Sequence, residues 1–347
     1  MTDLAYHNVD IEKMPAPEGC PVDHEFTPFS ERYVAYPYAW LEQKRENEPI
    51  FYSEELGYVV VTRMEDVEAV FRDAETFSST NVQDPVFPIC SEAAEILSAE
   101  DYNPVAVMSN RPLPDHTRIR KHTQAGFSPR RMQVLEPLVH QRAEKLIDDM
   151  LAKGPPVEWV SAVGNPLPAE TIFRLLGFPA ADDEQLKDWT NNRLEFTWGK
   201  TNKEKQIQVA KNLLAYWRYV AAYVEHRRDN PADDFTSELL AAHAGNPEEI
   251  TYNEVQSVVY GLSFAGHEIV RNLFLVDQHR RQVRRAVTDR ERRIGRPVRR
   301  FQPRRPDAVL ARSHVERPRG HVRAVACSAE VFVTLVTFPG IVSPVAL

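Results

Sequence analysis

The chain has 347 residues, of which 43% are apolar and 27% charged, with a formal net charge of -8. That is the composition of a globular protein, not of a disordered or fibrous one. Three widely spaced cysteines, Cys20, Cys90 and Cys327, argue against a disulfide framework and fit a reducing, cytoplasmic setting.

In chain order, "PYAWLEQKRENEP" predicts a short helix that stops at Pro49. The β-rich runs 50–52 and 58–62 flank Leu56-Gly57 and predict a hairpin. Residues 64–71 follow as an amphipathic helix with Val67, Val70 and Phe71 on its apolar face. Residues 80–110 are loop-rich around a helical patch at 91–97. Helices are expected at 116–126, 131–152, 168–176, 183–198, 204–228 and 235–243. No basic stretch followed by an apolar one opens the chain, and the apolar run 331–347 is short and broken by Pro339, Gly340 and Pro344. Neither an export leader nor a membrane span is expected.

A further helix begins at Thr251, whose T-x-x-E spacing to Glu254 is a capping box. Val255, Val258, Val259 and Leu262 recur at i, i+3, i+4 and i+7, giving a continuous apolar stripe. The helix then carries "SFAGHEIVRN". A zinc-binding H-E-x-x-H pattern needs a second histidine at position 271, which is Arg271, so that chemistry is excluded. Ala265-Gly266 is a small-residue pair expected to loosen the helix and open space beside its backbone.

Composition breaks near residue 270. Residues 271–347 hold 17 Arg, no Lys and 6 acids, a net of +11, whereas residues 1–270 carry -19. The later part also has no Trp, Tyr or Met. Such an asymmetry marks a boundary.

Four strings, in order, resemble a bacterial cytochrome P450: "GYVVVTRMEDVEAVFRDAETFSS", "DHTRIRKHTQAGFSPRRM", "AETIFRLLGFP" and "FAGHE". The resemblance covers roughly residues 20–270. It implies a mainly α fold with a small N-terminal β hairpin, here incomplete, and haem-dependent insertion of one oxygen atom of O2 into a small organic substrate. Electrons would come from a flavin or iron–sulfur partner. His116 and Arg120, at i and i+4 on one helix face, suit paired haem propionates. Ala265 and Gly266 would admit dioxygen and Glu268 would help deliver protons, although Ile269 stands where the family usually has a threonine. His267 is expected to be a satisfied core or surface histidine. Val86, Phe87, Val107 and Phe264 are the candidate substrate-facing residues.

The family also needs an axial cysteine thiolate, and none is identifiable. Cys327 lies in "GHVRAVACSAE", without the Gly-rich approach, and Cys20 and Cys90 are in the wrong half. The E-x-x-R motif has only Glu316–Arg319 downstream, interrupted by Pro318. Residues 1–270 are therefore expected to form the P450 region, and 271–347 a poorly ordered tail produced by a frameshift or truncation. The chain as written is expected to be inactive. The alternatives are a haem-free, ligand-binding pseudoenzyme and a basic tail for nucleic acid, the latter ranked well below the frameshift.

Overall fold

The structure is a computed structural model and describes residues 15–271, Pro155 and Asn192 excepted. Cys327, the Glu316–Arg319 motif and the Arg-rich region from residue 272 on lie outside the described residues.

Among them, helices α1 (Glu31–Ala35) and α2 (Tyr38–Asn47) lead into the hairpin of β2 (Ile50–Ser53) and β3 (Tyr58–Val61). Its register pairs Phe51 with Val60 and Tyr52 with Val59. Gly57, at φ 73°, makes the turn in a backbone region that only glycine enters without strain. A two-residue strand, β1 (Val22–Asp23), adds in parallel to β2 and makes a three-stranded sheet. The sequence reading missed it, since two residues carry no periodicity. Asp23 fixes it: its Oδ1 accepts from the backbone N–H of Glu25 and Phe26, and Lys44 Nζ lies 2.5 Å from Oδ2. Phe26, Tyr33, Trp40 and Phe51 pack edge-on and stacked over this sheet as a small aromatic core.

Helix α3 (Met64–Arg72) is as expected, but of its apolar face only Val67 is fully buried; Phe71 remains 37% exposed. Helices α4 (Ser91–Leu97), α5 (Asp115–Gly126), α6 (Pro129–Lys153) and α7 (Pro166–Leu176) follow. The last is preceded by a π-helical turn, Val160–Gly164, which the sequence did not signal. It ends as predicted on Gly177, whose left-handed φ of 85° closes the helix while Phe178 N–H donates to Phe173 O.

One long helix was expected over 183–198. It is two, α8 (Asp183–Thr190) and α9 (Arg193–Trp198). Thr190 Oγ1 donates back to Leu186 O, and asparagine, which favours turns over helix interiors, follows at 191. Helix α10 (Lys203–Asp229) is the central pillar of the main core, packed against α4, α8 and α11 (Phe235–Gly245). The last helix among the described residues, α12, covers residues 252–271. Its stripe of Val255, Val258, Val259 and Leu262 is buried as predicted. Tyr216 of α10 stacks on Tyr260 at 5.2 Å and donates to Ser263 Oγ at 2.6 Å, locking the two helices together. No helix among the described residues is long and apolar enough to cross a membrane.

Candidate functional site

The start of α12 is set by Glu254. The predicted capping box forms in both directions: Thr251 N–H donates to Glu254 Oε2 at 2.8 Å, and Glu254 N–H to Thr251 Oγ1 at 3.2 Å. The carboxylate also binds two cations. Arg118 of α5 donates to both oxygens, at 2.7 and 3.0 Å, and Arg111 donates to Oε1 at 2.6 Å. These guanidinium groups and the backbone bond hold the Glu254 carboxyl down to about 2, despite its burial.

That clip orients α5. Arg118 is consumed by it, leaving His116 and Arg120 on another face of the helix. Neither of their side chains has a hydrogen-bond or ion-pair partner among the described residues. Partial burial first, and the neighbouring Arg120 charge second, lower the pKa of His116. An imidazole and a guanidinium held together, with no acidic partner among the described residues, suit a paired anion.

Farther along α12, helical phase separates residues that are adjacent in sequence. Gly261, Phe264, Ala265, Glu268 and Ile269 share one side. Of these, Gly261, Ala265 and Ile269 are only partly buried, whereas Phe264 and Glu268 are 3% exposed. Gly266 points elsewhere. A Cβ added there would collide with the Ile172 side chain of α7. The expected loosening at Ala265-Gly266 is therefore not seen: α12 runs helical through the pair, and the glycine serves close packing of α7. Gly266→Ala should cost about 1–3 kcal/mol by overpacking. The same substitution should cost less in an Ile172→Ala background; a chemical-denaturation double-mutant cycle measures the difference.

His267 is fully buried among core residues, with Nδ1 2.7 Å from Ser263 O and its ring 6.4 Å from Phe173. The carbonyl requires Nδ1 to carry the proton. Burial lowers the pKa to about 4, so the ring is neutral, but Nε2 is buried with no hydrogen-bond partner among the described residues, so the histidine is only half satisfied. Glu268 behaves oppositely. Burial raises its carboxyl to about 7, against the pull of Arg271 and Arg193. An acid titrating near neutrality is suited to proton transfer.

The four candidate substrate-facing residues divide. Val107 and Phe264 belong to the main core, and Val107 closes over Gly261 at a distance that would just admit a Cβ. Val86 and Phe87 pack instead with the N-terminal cluster, Phe87 edge-on to Phe29. Val86 lines a cavity of about 190 Å³ between the sheet, α3 and Trp198. The sequence reading overlooked Arg193 of α9. Its guanidinium lies 4.7 Å over the Phe264 ring and 5.9 Å from that of Tyr260, and it donates to Gln83 Oε1 at 2.6 Å. No periodicity or motif distinguishes that arginine in "NNRLEF".

Cys20 and Cys90 are the cysteines among the described residues, and neither lies on α12 or α5. Burial raises the Cys20 thiol, the opposite of what a ligating thiolate requires. No cluster of three or more metal-ligating side chains occurs among the described residues.

No family model matches the chain. Over 271 residues it is 30% identical to a steroid C26-monooxygenase of Mycolicibacterium smegmatis, covering 75% of this chain and 60% of that one. It is 31% identical to a methyl-branched lipid omega-hydroxylase of Mycobacterium bovis, over 62% of this chain and 48% of the relative. Among solved structures, cytochrome P450 CREJ in complex with (4-ethylphenyl) dihydrogen phosphate superposes with a TM-score of 0.67 and 34% identity, covering 72% of this chain and 61% of that one. The chain is a partial cytochrome P450. It spans about 60% or less of the length of these relatives. Named P450 relatives of this kind are monooxygenases, hence oxidoreductases. His116 and Arg120 fit a haem's two carboxylates, whereas the described residues supply no thiolate for its iron.

Proposed function

We propose that residues 1–270 are the substrate- and oxygen-facing part of a haem monooxygenase that takes a small organic substrate, with electrons from a flavin or iron–sulfur donor. The observation that carries this reading is the partly open side of α12, with buried Glu268 upon it, clipped through Glu254 to the helix bearing His116 and Arg120. When bound, haem supplies the iron at which dioxygen is activated. His116 and Arg120 would hold its propionates by charge-assisted hydrogen bonds. Val107 and Phe264 would exclude water from the substrate, and Ala265 leaves room beside it. Glu268 would pass protons at its carboxyl oxygens without a neighbouring hydroxyl, since Ile269 carries none.

We propose further that this polypeptide alone takes up haem poorly and is inactive, because Cys327 lacks the Gly-rich surroundings of an axial ligand. Carbon monoxide added to the reduced, haem-supplemented protein should give no thiolate-type Soret band; such a band would overturn the inactivity. Any residual haem uptake should weaken roughly tenfold or more in His116→Ala/Arg120→Ala, if each removes about 1 kcal/mol or more of charge-assisted bonding. Absorbance titration with hemin measures that loss, and unchanged uptake would remove the propionate assignment.

A further inference from the structure

We infer that the cavity of about 190 Å³ between the sheet, α3 and Trp198 is a binding site, separate from α12, for a neutral molecule of two fused aromatic rings bearing a hydroxyl or carbonyl. The inference goes beyond the monooxygenase reading and does not use it. Among the described residues, none of α5 or α12 lines this space. Its walls include Leu56, Val67, Val82, Val86 and Trp198, each at most 6% exposed, so the chain withdraws them from water without filling the space they enclose. Protein interiors seldom leave a void larger than a water molecule. An apolar cavity of about 150 Å³ already takes up benzene. This one is larger, by enough to admit a second fused ring.

The walls are set before any ligand arrives. They come from the hairpin, α3, the 82–86 loop and the end of α9, and Val86 N–H donates to Thr197 O at 2.8 Å, tying the loop to the Trp198 wall. A preformed site lowers the ordering cost of binding. Phe26 and Tyr33 line the space along with Trp198, and aromatic walls favour a flat ring. Tyr33 also brings a polar atom. Its hydroxyl has no hydrogen-bond partner among the described residues, and burial pushes its pKa up to about 12, so it remains a donor at neutral pH. A ligand hydroxyl or carbonyl would supply the acceptor. Charge would gain little here. Arg45 and Asp84, one of each sign, border the space from exposed positions, so their fields oppose each other. An ionic ligand would lose hydration among apolar walls without a net counter-charge.

The test is calorimetric titration of the full chain with 2-naphthol, naphthalene and naphthalene-2-sulfonate. 2-Naphthol should bind one to one, and roughly tenfold or more tighter than the sulfonate. Tyr33→Phe keeps the ring and removes the hydroxyl; it should weaken 2-naphthol roughly three- to tenfold while leaving naphthalene unchanged. Val70→Phe, on the α3 side of the cavity, should fill the space and abolish binding of both. Ala265→Leu, on the partly open side of α12, should bind 2-naphthol as wild type does. No binding of 2-naphthol, a sulfonate that binds as tightly, undiminished binding in Val70→Phe, or loss of binding in Ala265→Leu would overturn the inference. So would equal 2-naphthol affinity in Tyr33→Phe, which keeps every ring contact and tests the site even if Val70→Phe does not fold. None of these readouts involves haem, so the Soret titration can fail while this site stands, and the reverse.

Discussion

Replacing Glu254 with alanine should destabilise the protein by about 3–5 kcal/mol, the cost of stranding charge when one partner of a buried ion pair is removed. Glu254 is 4% exposed and joins three segments: the Arg111 loop, α5 through Arg118, and the first turn of α12 through Thr251. Arg118 Nη1 also donates to Glu249 O at 2.7 Å, so the alanine variant loses one bidentate clasp but not every tether. Glu254→Gln keeps the shape and the capping bond but not the charge, and should fall between the two. The pH dependence has a definite sign. The folded carboxyl is held at about 2, below its ordinary 4.5, so its stabilisation is complete above 4.5 and drains away as pH falls toward 2. Urea denaturation at pH 7 and at pH 3 measures both effects. Equal stability of wild type and Glu254→Ala at pH 7 would show that the clip is ornamental.

The second large effect is expected at Glu268 and has the opposite sign. Its folded carboxyl titrates at about 7, above the ordinary 4.5, so the folded state keeps a proton that the unfolded chain releases. Its contribution is therefore fully present below pH 4.5 and is lost as pH rises through 7. Glu268→Gln, which stays neutral, should match wild type near pH 4.5 and exceed it by about 3 kcal/mol at pH 8. His267 complicates the acid side. Its folded pKa of about 4 lies below the ordinary 6.5, so it costs stability as pH falls from 6.5 to 4. The neighbours offset each other in that window, and wild type should show a shallow slope there. Glu268→Gln should unmask a steeper decline below pH 6.5, and Glu268→Gln/His267→Phe should flatten it again. Denaturation midpoints from pH 4.5 to 8 would expose a wrong assignment if the single variant tracked wild type throughout.

Much of this site could be read from residue spacing, where one local rule decided the outcome. Thr251 and Glu254 form their capping box because a threonine and a glutamate three apart have few other uses at the head of an apolar stripe. Gly177 ends α7 because a left-handed residue is needed there. What escaped depended on partners distant in the chain. Arg118 looks equivalent to Arg120 in "HTRIR" until Glu254 arrives from 136 residues away. Gly266 is expected from sequence to open space, and its close approach to Ile172, on a different helix, has no signal in the sequence. Val86 and Phe87 were grouped with Val107 because they share a loop, yet the aromatic core around Phe26 captures them first. Arg193 had no signal at all, since its meaning comes from Phe264 and Gln83.

Arg118 must meet Glu254 while His116 and Arg120 stay together on another face, so the spacing between them matters as much as their chemistry. Each added or removed residue turns the following part of a helix by about 100°. A single insertion between His116 and Arg118 would swing the clasp off its acceptor and split His116 from Arg120 in the same stroke. The segment can therefore tolerate changes of composition at Lys121, 74% exposed, far better than any change of length.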